Sequence, residues 1–463
     1  MHTKSIDFTA LRRELGLPDA FPPAAQAQAE AAARQTRSPG TDRTDLPFVT
    51  IDPATSHDLD QAMCLMRRQG GGYTVHYAIA DVASFVSPGT PLEAETWRRG
   101  QTVYLPDGKV PLHPTVLSEG AASLLPGQER PALVWSIDLD ADGSTRDVKL
   151  ERARVRSRAK LDYVGVQADA DSGNLPDPIA LLPEIGKLLI GRGLARGAIN
   201  LPLPDQEVEP DGDGWRLILK PLLPAEEWNA QISLLTGCAA AQIMLEGKVG
   251  LLRTMPSPPI DAVQRLRLAA KALDVEWPDG MSVGQVLASV DPSRPQAAAF
   301  VDEAAELLRG AGYTPFAGAL PPDPLHSAVA APYAHVTAPL RRLADRYVSE
   351  VCLALHGGSA VPPWASEALP RLPEVMSTSD RVANAAERGA VDQVEAMVLA
   401  DRVGETFPAV VLDADHVRPL GTIAVTEPVV RARCDGRLVP GTRITARLTT
   451  ADVAGRQVRF EAV

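Results

Sequence analysis

Three aspartates lie close together in the segment TIDPATSHDLDQA, at Asp52, Asp58 and Asp60. They follow a short apolar run and surround a turn that Pro53 begins, so their carboxylates can converge on one point. Carboxylates packed this closely repel one another unless a cation neutralises them, and Mg²⁺ takes oxygen ligands while keeping positions for phosphate oxygens. The cluster predicts phosphoryl chemistry. The alternative is a solvated turn in which Asp and Ser side chains cap backbone amides.

Arginines supply the complementary charge in the segment YAHVTAPLRRLADRY. Pro339 can occupy the first turn of a helix that presents Arg341, Arg342 and Arg346. Phosphate binds favourably at a helix N-terminus beside an arginine fork. The alternative is an ordinary amphipathic helix whose arginines face water.

The elements that must position these side chains fall into blocks along the chain. Residues 8–37 read as helical with a break at two prolines, and residues 48–160 contain β-rich runs separated by turn signals. Residues 180–403 are mostly helical in pattern. After residue 405 come five short strand-like runs, which suit a small OB-type barrel. A sheet followed by helices predicts a large α+β domain, so the fold class is α+β multidomain.

Composition narrows the class of protein. The 463 residues are 45% hydrophobic, enough to fill the cores of several domains. The formal charge of −12 argues against a protein that coats nucleic acid non-specifically but leaves room for a local basic channel.

The four cysteines form no CxxC pair, which favours a reducing compartment over a disulfide scaffold. No stretch has the length and apolar content of a signal peptide or a membrane span, so we expect a cytoplasmic protein without a membrane segment. The chain also has no GxxxxGK[ST], GxSxG or HExxH motif, which removes the main support for those enzyme classes.

The order of motifs resembles the catalytic RNB domain of the RNase II and RNase R family of exoribonucleases. The motifs are TIDPATSHDLDQAM, YAIADVASFVSPGTPLEAE, QTVYLPDGKVPLHPTVLSEGAASLLPGQERPAL, YAHVTAPLRRLADRYV and NAAERG. The resemblance covers residues 46–403. Residues 404–463 look like the OB-type RNA-binding barrel of ribosomal S1 type that closes these enzymes, which leaves residues 1–45 for a short helical module and linker.

The resemblance implies processive hydrolysis of single-stranded RNA from its 3′ end, with Mg²⁺ or alternatively Mn²⁺, releasing nucleoside 5′-monophosphates and leaving a short oligonucleotide. It also favours a monomer. Matched position by position, it assigns the following residues. We expect Asp58, Asp60, Arg341 and Glu387 to act in catalysis, Tyr104, Arg341, Arg342 and Glu387 to bind substrate, and Asp52, Asp58, Asp60 and Gln61 to hold metal.

This chain departs from the family pattern at three positions. Gln61 stands where the family has a fourth aspartate; it can donate an oxygen ligand but carries no charge. Val208 aligns with a stacking aromatic, and Gln231 with an acid in a Glu-Glu pair. The short N-terminal module also replaces the two cold-shock barrels that many relatives carry.

Two other functions compete with the exoribonuclease hypothesis. A family member that binds RNA without cutting it is suggested by Gln61 and by the loss of a stacking aromatic. An unrelated Mg²⁺-dependent phosphodiesterase acting on small nucleotides requires the series of motifs to be accidental.

Overall fold

A computed structural model describes residues 6–35, 40–201, 205–212, 214–220, 222–291, 293–415 and 417–463. The N-terminal module contains two helices, α1 (Thr9–Glu14) and α2 (Pro23–Arg34). Pro23 opens α2 at its first position, where a missing N–H costs nothing. The helical N-terminal region predicted from the sequence is confirmed.

A seven-stranded sheet follows, in the spatial order β1-β8-β7-β4-β3-β2-β9. A helix and a small hairpin of two strands, β5 and β6, interrupt it along the chain. The elements are β1 (Thr41–Asp42), β2 (Val49–Ile51), β3 (Gln61–Arg67), β4 (Tyr73–Ala80), α3 (Pro91–Arg99), β5 (Val103–Leu105), β6 (Gly108–Val110), β7 (Glu129–Leu139), β8 (Thr145–Arg156) and β9 (Ala159–Leu161).

Helices dominate the next part of the chain, with short strands between them. They are α4 (Tyr163–Ser172), α5 (Leu182–Arg196), β10 (Asp205–Asp211), β11 (Gly214–Lys220), α6 (Pro224–Gly247), β12 (Val249–Thr254), α7 (Ile260–Ala272), α8 (Val283–Ser289), α9 (Pro295–Ala305), β13 (Gly312–Ala317), β14 (Leu325–His326), β15 (Ala331–Pro332), α10 (Leu343–His356), α11 (Pro363–Ser366) and α12 (Leu372–Leu399).

Both faces of the large sheet are buried, as the alternation along β4 shows. Val75, Tyr77 and Ile79 belong to the core shared with α6 and α10. Ala78 and Ala80 point to the opposite face, where α2 of the N-terminal module covers the sheet. Successive side chains of a strand point to opposite faces, so one strand contributes to two cores.

The last segment forms a closed five-stranded barrel, in the order β16-β17-β18-β20-β19. The long helix α12 leads into it, and α1, α12 and the barrel share one apolar core. The α+β fold class and the C-terminal barrel are therefore as predicted. The strands are β16 (Thr406–Ala414), β17 (Leu420–Val425), β18 (Val430–Asp435), β19 (Arg443–Asp452) and β20 (Gln457–Ala462).

Within the described ranges, none of the helices combines the length and apolar content that crossing a bilayer requires. The four cysteines are free thiols.

Candidate active site

Most of the predicted site residues line one cavity of about 570 Å³, which we call the acidic cavity. Its walls are the turn between β2 and β3, the β5–β6 hairpin, one stripe of α6 and residues 333–342. Of the predicted residues, the lining includes Asp52, Asp58, Asp60, Gln61, Tyr104, Arg341 and Arg342.

Asp60 lies at the inner end of the acidic cavity and is only 4% exposed. Its Oδ1 accepts a hydrogen bond of 2.7 Å from the backbone N–H of Leu340, and its Oδ2 lies 3.6 Å from Nε of Arg341. Burial raises the pKa of the Asp60 carboxyl well above its ordinary value, and the nearby guanidinium of Arg341 opposes that rise. Asp60 therefore joins the end of the sheet to the arginine segment.

Asp58 is held by two residues of the β5–β6 hairpin. Tyr104 donates its hydroxyl to Oδ2 at 3.2 Å, and Nζ of Lys109 lies 2.7 Å from Oδ1. Tyr104 and Lys109 face each other across the hairpin, and Lys109 also lies 3.0 Å from Glu119. Lys109 was not predicted, although it belongs to the motif VYLPDGKVP. Its ammonium partly neutralises the acidic cluster.

Asp52 has a pKa raised to about 7. Burial is the main cause and the negative charge of Asp58 adds to it, while Arg341 and Lys160 oppose it. For Asp52 and Asp60 alike, burial is the largest cause of the raised pKa, and the negative charge of Asp58 makes a smaller contribution.

These donors fit a hard divalent cation in kind, although not as a closed cage. In the part of the chain that the structure describes, no group of three or more His, Cys, Asp or Glu side chains is close enough to hold a metal ion. The expectation that three carboxylates converge on one point is therefore not met. Mg²⁺ is commonly bound by one or two carboxylates together with water and substrate phosphate, so the oxygen donors of this cavity are compatible with it.

Gln61 uses both ends of its amide in bonds to the protein. Its Nε2 donates to the carbonyl of Thr337 at 2.6 Å, and its Oε1 accepts from the hydroxyl of Tyr77 at 2.9 Å. A carbonyl oxygen can only accept, so the Thr337 carbonyl sets the orientation of the amide. The predicted role of Gln61 as a metal ligand has no support in these contacts, which instead tie β3 to residues 333–342.

The arginine segment differs from its prediction. Helix α10 begins at Leu343, so Pro339 and Arg341 lie in the turn before it. Two bonds hold the turn: Thr102 donates its N–H to the carbonyl of Arg341, and Asp345 in the first turn of α10 accepts from the N–H of Ala338. The expected helix start is wrong because these two bonds override the local proline signal.

The three arginines have different environments. The side chain of Arg341 is 45% exposed and faces the acidic cavity. Arg342 also lines the cavity, but its guanidinium pairs with Asp345 at 2.9 Å. Arg346 was expected to face a phosphate, and this is wrong: it is 1% exposed and pairs with Glu93 at 2.9 Å.

Three further residues that the sequence singled out lie elsewhere. Glu387 is exposed on α12 and is not part of the cavity lining. Val208, on β10, packs against the core of α1, α12 and the barrel. Gln231 lines a second cavity of about 610 Å³, between α5 and α6.

Sequence reasoning missed several polar residues of the acidic cavity. Asn229 and Ser233 project from α6, one turn apart, and Asn229 donates to the hydroxyl of Tyr163 at 3.1 Å. Polar residues at i and i+4 in an otherwise apolar helix are a signal that could have marked this face. Tyr333 and Thr337 carry no comparable signal.

Two family models match the chain. The model described as RNB domain matches residues 41–356, and the model described as RNase II-type exonuclease C-terminal S1 domain matches residues 405–463.

Curated relatives match over most of this chain. "Exosome complex exonuclease dis3" of Schizosaccharomyces pombe is 27% identical over 382 residues, which cover 79% of this chain and 39% of the relative. "Ribonuclease R" of Escherichia coli is 27% identical over 426 residues, covering 85% and 52% respectively. The chain thus spans about half, or less, of the length of these relatives.

Solved structures share the fold. Mycoplasma genitalium RNase R in complex with ribose-methylated single-stranded RNA superposes with a TM-score of 0.86 at 20% identity, covering 98% of this chain and 77% of that one. Yeast Ssd1, described as a pseudonuclease, gives a TM-score of 0.70 at 15% identity, covering 97% and 55%. Because the RNB domain model spans more than half of the residues, the chain belongs to the RNB-domain family of RNase II and RNase R.

Proposed function

We propose that this protein hydrolyses single-stranded RNA processively from the 3′ end, releasing nucleoside 5′-monophosphates and leaving a short oligonucleotide. The observation that carries the proposal is the acidic cavity, where Asp52, Asp58 and Asp60 share one space with Arg341 and Tyr104. Carboxylates and an exposed guanidinium in one cavity are groups that can catalyse phosphodiester hydrolysis with a metal ion.

One or two of the carboxylates of Asp52, Asp58 and Asp60 would hold Mg²⁺ together with water and phosphate oxygens, with Mn²⁺ as the alternative metal. When bound, the ion would supply a more acidic water and neutralise phosphate charge. The exposed guanidinium of Arg341 can bind a phosphate oxygen and stabilise the negative charge that develops there. Asp60, through Leu340 and Arg341, keeps that guanidinium at the cavity.

Tyr104 provides a surface for the last nucleotide. Its side chain is 49% exposed, although its hydroxyl is tied to Asp58. A base can stack on an aromatic ring whatever its identity, so this contact suits degradation without sequence preference. Glu387 would contact RNA only outside the acidic cavity, because it lies on the exposed face of α12.

RNA binding despite the acidic net charge would depend on local arginines. The barrel carries several arginines that are exposed to solvent. Some of them pair with acids, as Arg431 does with Asp302 and Arg447 with Glu461. The likeness to an RNase R that was solved with single-stranded RNA supports RNA as the substrate class. Among the exposed arginines are Arg431, Arg433, Arg437, Arg443 and Arg447.

The test is a time course on one RNA labelled at either end, with Mg²⁺ and with EDTA. A 3′-exonuclease releases labelled mononucleotide at once from the 3′-labelled strand, and a processive one converts the 5′-labelled strand directly to a short product. Both reactions should occur with Mg²⁺ and not with EDTA. A ladder of internal fragments, or release of mononucleotide from the 5′ label, would contradict the proposal.

A second candidate is an RNA-binding protein without nuclease activity. The observation that favours it is Gln61, whose amide is committed to Thr337 and Tyr77 where the family has an acid. Retention of intact RNA with Mg²⁺, combined with tight binding, would establish this second function. The cytoplasmic location and the monomeric state remain predictions from the sequence.

A further inference from the structure

We propose that Arg12, in the N-terminal helix α1, is a positioning residue for the acidic cavity. It holds the β5–β6 hairpin, and the hairpin sets Tyr104 and Lys109 against Asp58. This inference rests on the proposed function and gives the N-terminal module a role in it.

The contact between the module and the hairpin is a two-pronged ion pair. Nη1 of Arg12 donates to Oδ2 of Asp107 at 2.8 Å, and Nη2 donates to Oδ1 at 2.7 Å. The two side chains are 20% and 30% exposed, so the pair is partly sheltered from water. A guanidinium that meets a carboxylate through two parallel bonds fixes orientation as well as distance.

Asp107 lies in the turn of the hairpin, directly before the strand that carries Lys109. Leu105 pairs with Gly108, so only Pro106 and Asp107 connect the strands, and Tyr104 pairs with Lys109 in the next register position. Any movement of Asp107 is passed to that cross-strand pair over a distance of two or three residues. Tyr104 and Lys109 are the two residues that bind the oxygens of Asp58.

The hairpin is small, with three residues in each strand, so its position depends on contacts outside it. Its buried apolar side chains pack in the core shared by α1, α12 and the barrel. Its base is held by Thr102, which donates to the carbonyl of Arg341. The Arg12 pair holds the opposite end.

Helix α1 is a rigid base for this contact. Phe8 and Leu11 are buried, and the ring of Phe8 meets Trp215 edge-on with centroids 5.5 Å apart. Leu11 packs so closely on Gly389 of α12 that a Cβ at Gly389 would lie 2.9 Å from it. Arg12 therefore belongs to a helix that is packed against the rest of the protein, so it can hold Asp107 in a fixed position.

The chain offers a matched control on the same helix. Glu14 pairs with Arg456 of the barrel at 2.6 Å and does not touch the hairpin. Replacing Glu14 removes an ion pair of α1 as replacing Arg12 does, so Glu14→Ala reports any general loosening of the module.

The first readout is independent of activity: amide hydrogen exchange of the peptide covering residues 100–111 in the full chain without RNA. Arg12→Ala and Asp107→Ala should each speed exchange there by about threefold, the loss expected from one partly exposed ion pair. Glu14→Ala should leave that exchange unchanged. The charge-swapped double variant, Arg12→Glu with Asp107→Arg, should return the exchange rate to the wild-type value. If Glu14→Ala speeds this exchange as much as Arg12→Ala, or if Arg12→Ala does not speed it, then Arg12 does not hold the hairpin.

The second readout is the product on single-stranded RNA. Arg12→Ala should lengthen the end product and raise KM more than it lowers kcat, because Tyr104 holds the last nucleotide less well. If Arg12→Ala speeds exchange but leaves the end product and KM unchanged, then Arg12 holds the hairpin but does not position Tyr104 for RNA. A wild-type chain that fails to shorten RNA would instead overturn the proposed function. The exchange measurement would still show whether Arg12 holds the hairpin.

Discussion

Lys109 changes the electrostatics of the acidic cavity at the scale of a single residue. Its ammonium lies 2.7 Å from Asp58 and 3.0 Å from Glu119, and its side chain is 21% exposed. Its positive charge makes the cavity less negative than three carboxylates alone would make it, and the neutral Gln61 adds no charge. The affinity of the cavity for a divalent cation should therefore depend on Lys109.

We predict that Lys109→Met lowers the Mg²⁺ concentration that gives half-maximal RNA hydrolysis by about threefold or more, since Asp58 loses a competing cation worth about 1 kcal/mol. The measurement is a Mg²⁺ titration of the initial rate at constant ionic strength. Lys271→Met, at an exposed position on α7, is the control and should not shift the titration. An unchanged or higher Mg²⁺ requirement for Lys109→Met would show that Lys109 does not compete with the metal.

Gln61→Glu should destabilise the protein although it restores an acid at this position. A carboxylate oxygen in place of Nε2 would face the Thr337 carbonyl, so a bond of 2.6 Å would become a repulsive contact. We expect a loss of about 1 to 3 kcal/mol in unfolding free energy, measured by urea denaturation without metal. A Gln61→Glu protein as stable as wild type and faster on RNA would indicate that position 61 is a metal-ligand position.

Helix α6 positions the acidic cavity at the scale of elements. It presents Asn229 and Ser233 to the cavity, and one turn later Gly237 lets residues 333–337 approach closely. A Cβ at Gly237 would lie 2.2 Å from Cε2 of Tyr333 and 2.6 Å from the carbonyl oxygen of Ala334. The close approach of this helix thus places Tyr333 and Thr337 in the lining.

Gly237→Ala should lower both the stability and the RNA hydrolysis rate, because residues 333–342 must shift away from α6. Gly191→Ala is the matched control: Gly191 is also in a helix, and its added Cβ would meet nothing within 4 Å. That control should gain up to about 1 kcal/mol from helix propensity. Thermal unfolding and initial rates of both variants decide the matter, and equal behaviour of the two would refute the packing argument.

Periodicity predicted the elements that have one apolar stripe or short alternating strands. The five barrel strands and helices α6 and α7 follow their apolar patterns. Strand β3 was not predicted: Ala62 and Cys64 face one core and Met63 and Leu65 the other, so no alternation is visible. The start of α10 and the role of Lys109 depend on contacts with residues far away in sequence, which no local pattern contains.

Glu395 connects three distant parts of the molecule: the barrel, the β10–β11 hairpin and the long helix α12. It lies on α12 and is 4% exposed. Its Oε1 accepts from the N–H of Arg431 in the barrel and from Nε2 of Gln206 in β10, both at 2.8 Å. Burial raises the pKa of Glu395 to about 7. The barrel, the hairpin of β10 and β11, and α12 therefore meet at a carboxyl whose pKa is raised by burial.

A raised folded pKa in an acid makes stability fall as pH increases, because the unfolded carboxyl ionises near its ordinary value and the folded one only near 7. The loss from Glu395 should develop from about pH 4.5 to pH 7. Glu395→Gln keeps the accepting oxygen and removes the charge. We predict that it stabilises the protein at pH 8 by about 1 to 3 kcal/mol and has little effect at pH 4.5. Urea denaturation at both pH values tests this, and a variant equally destabilised at both would contradict it.

Asp60→Asn tests most directly whether the acidic cavity is the catalytic centre. Asparagine keeps the oxygen that accepts from Leu340 but removes the charge beside Arg341. The measurement is the single-turnover hydrolysis rate and the Kd for the same single-stranded RNA, with the exposed Asp279→Asn as control. We predict a loss of rate of at least about a hundredfold with Kd changed by less than about threefold. A retained rate, or a loss of affinity as large as the loss of rate, would contradict the account.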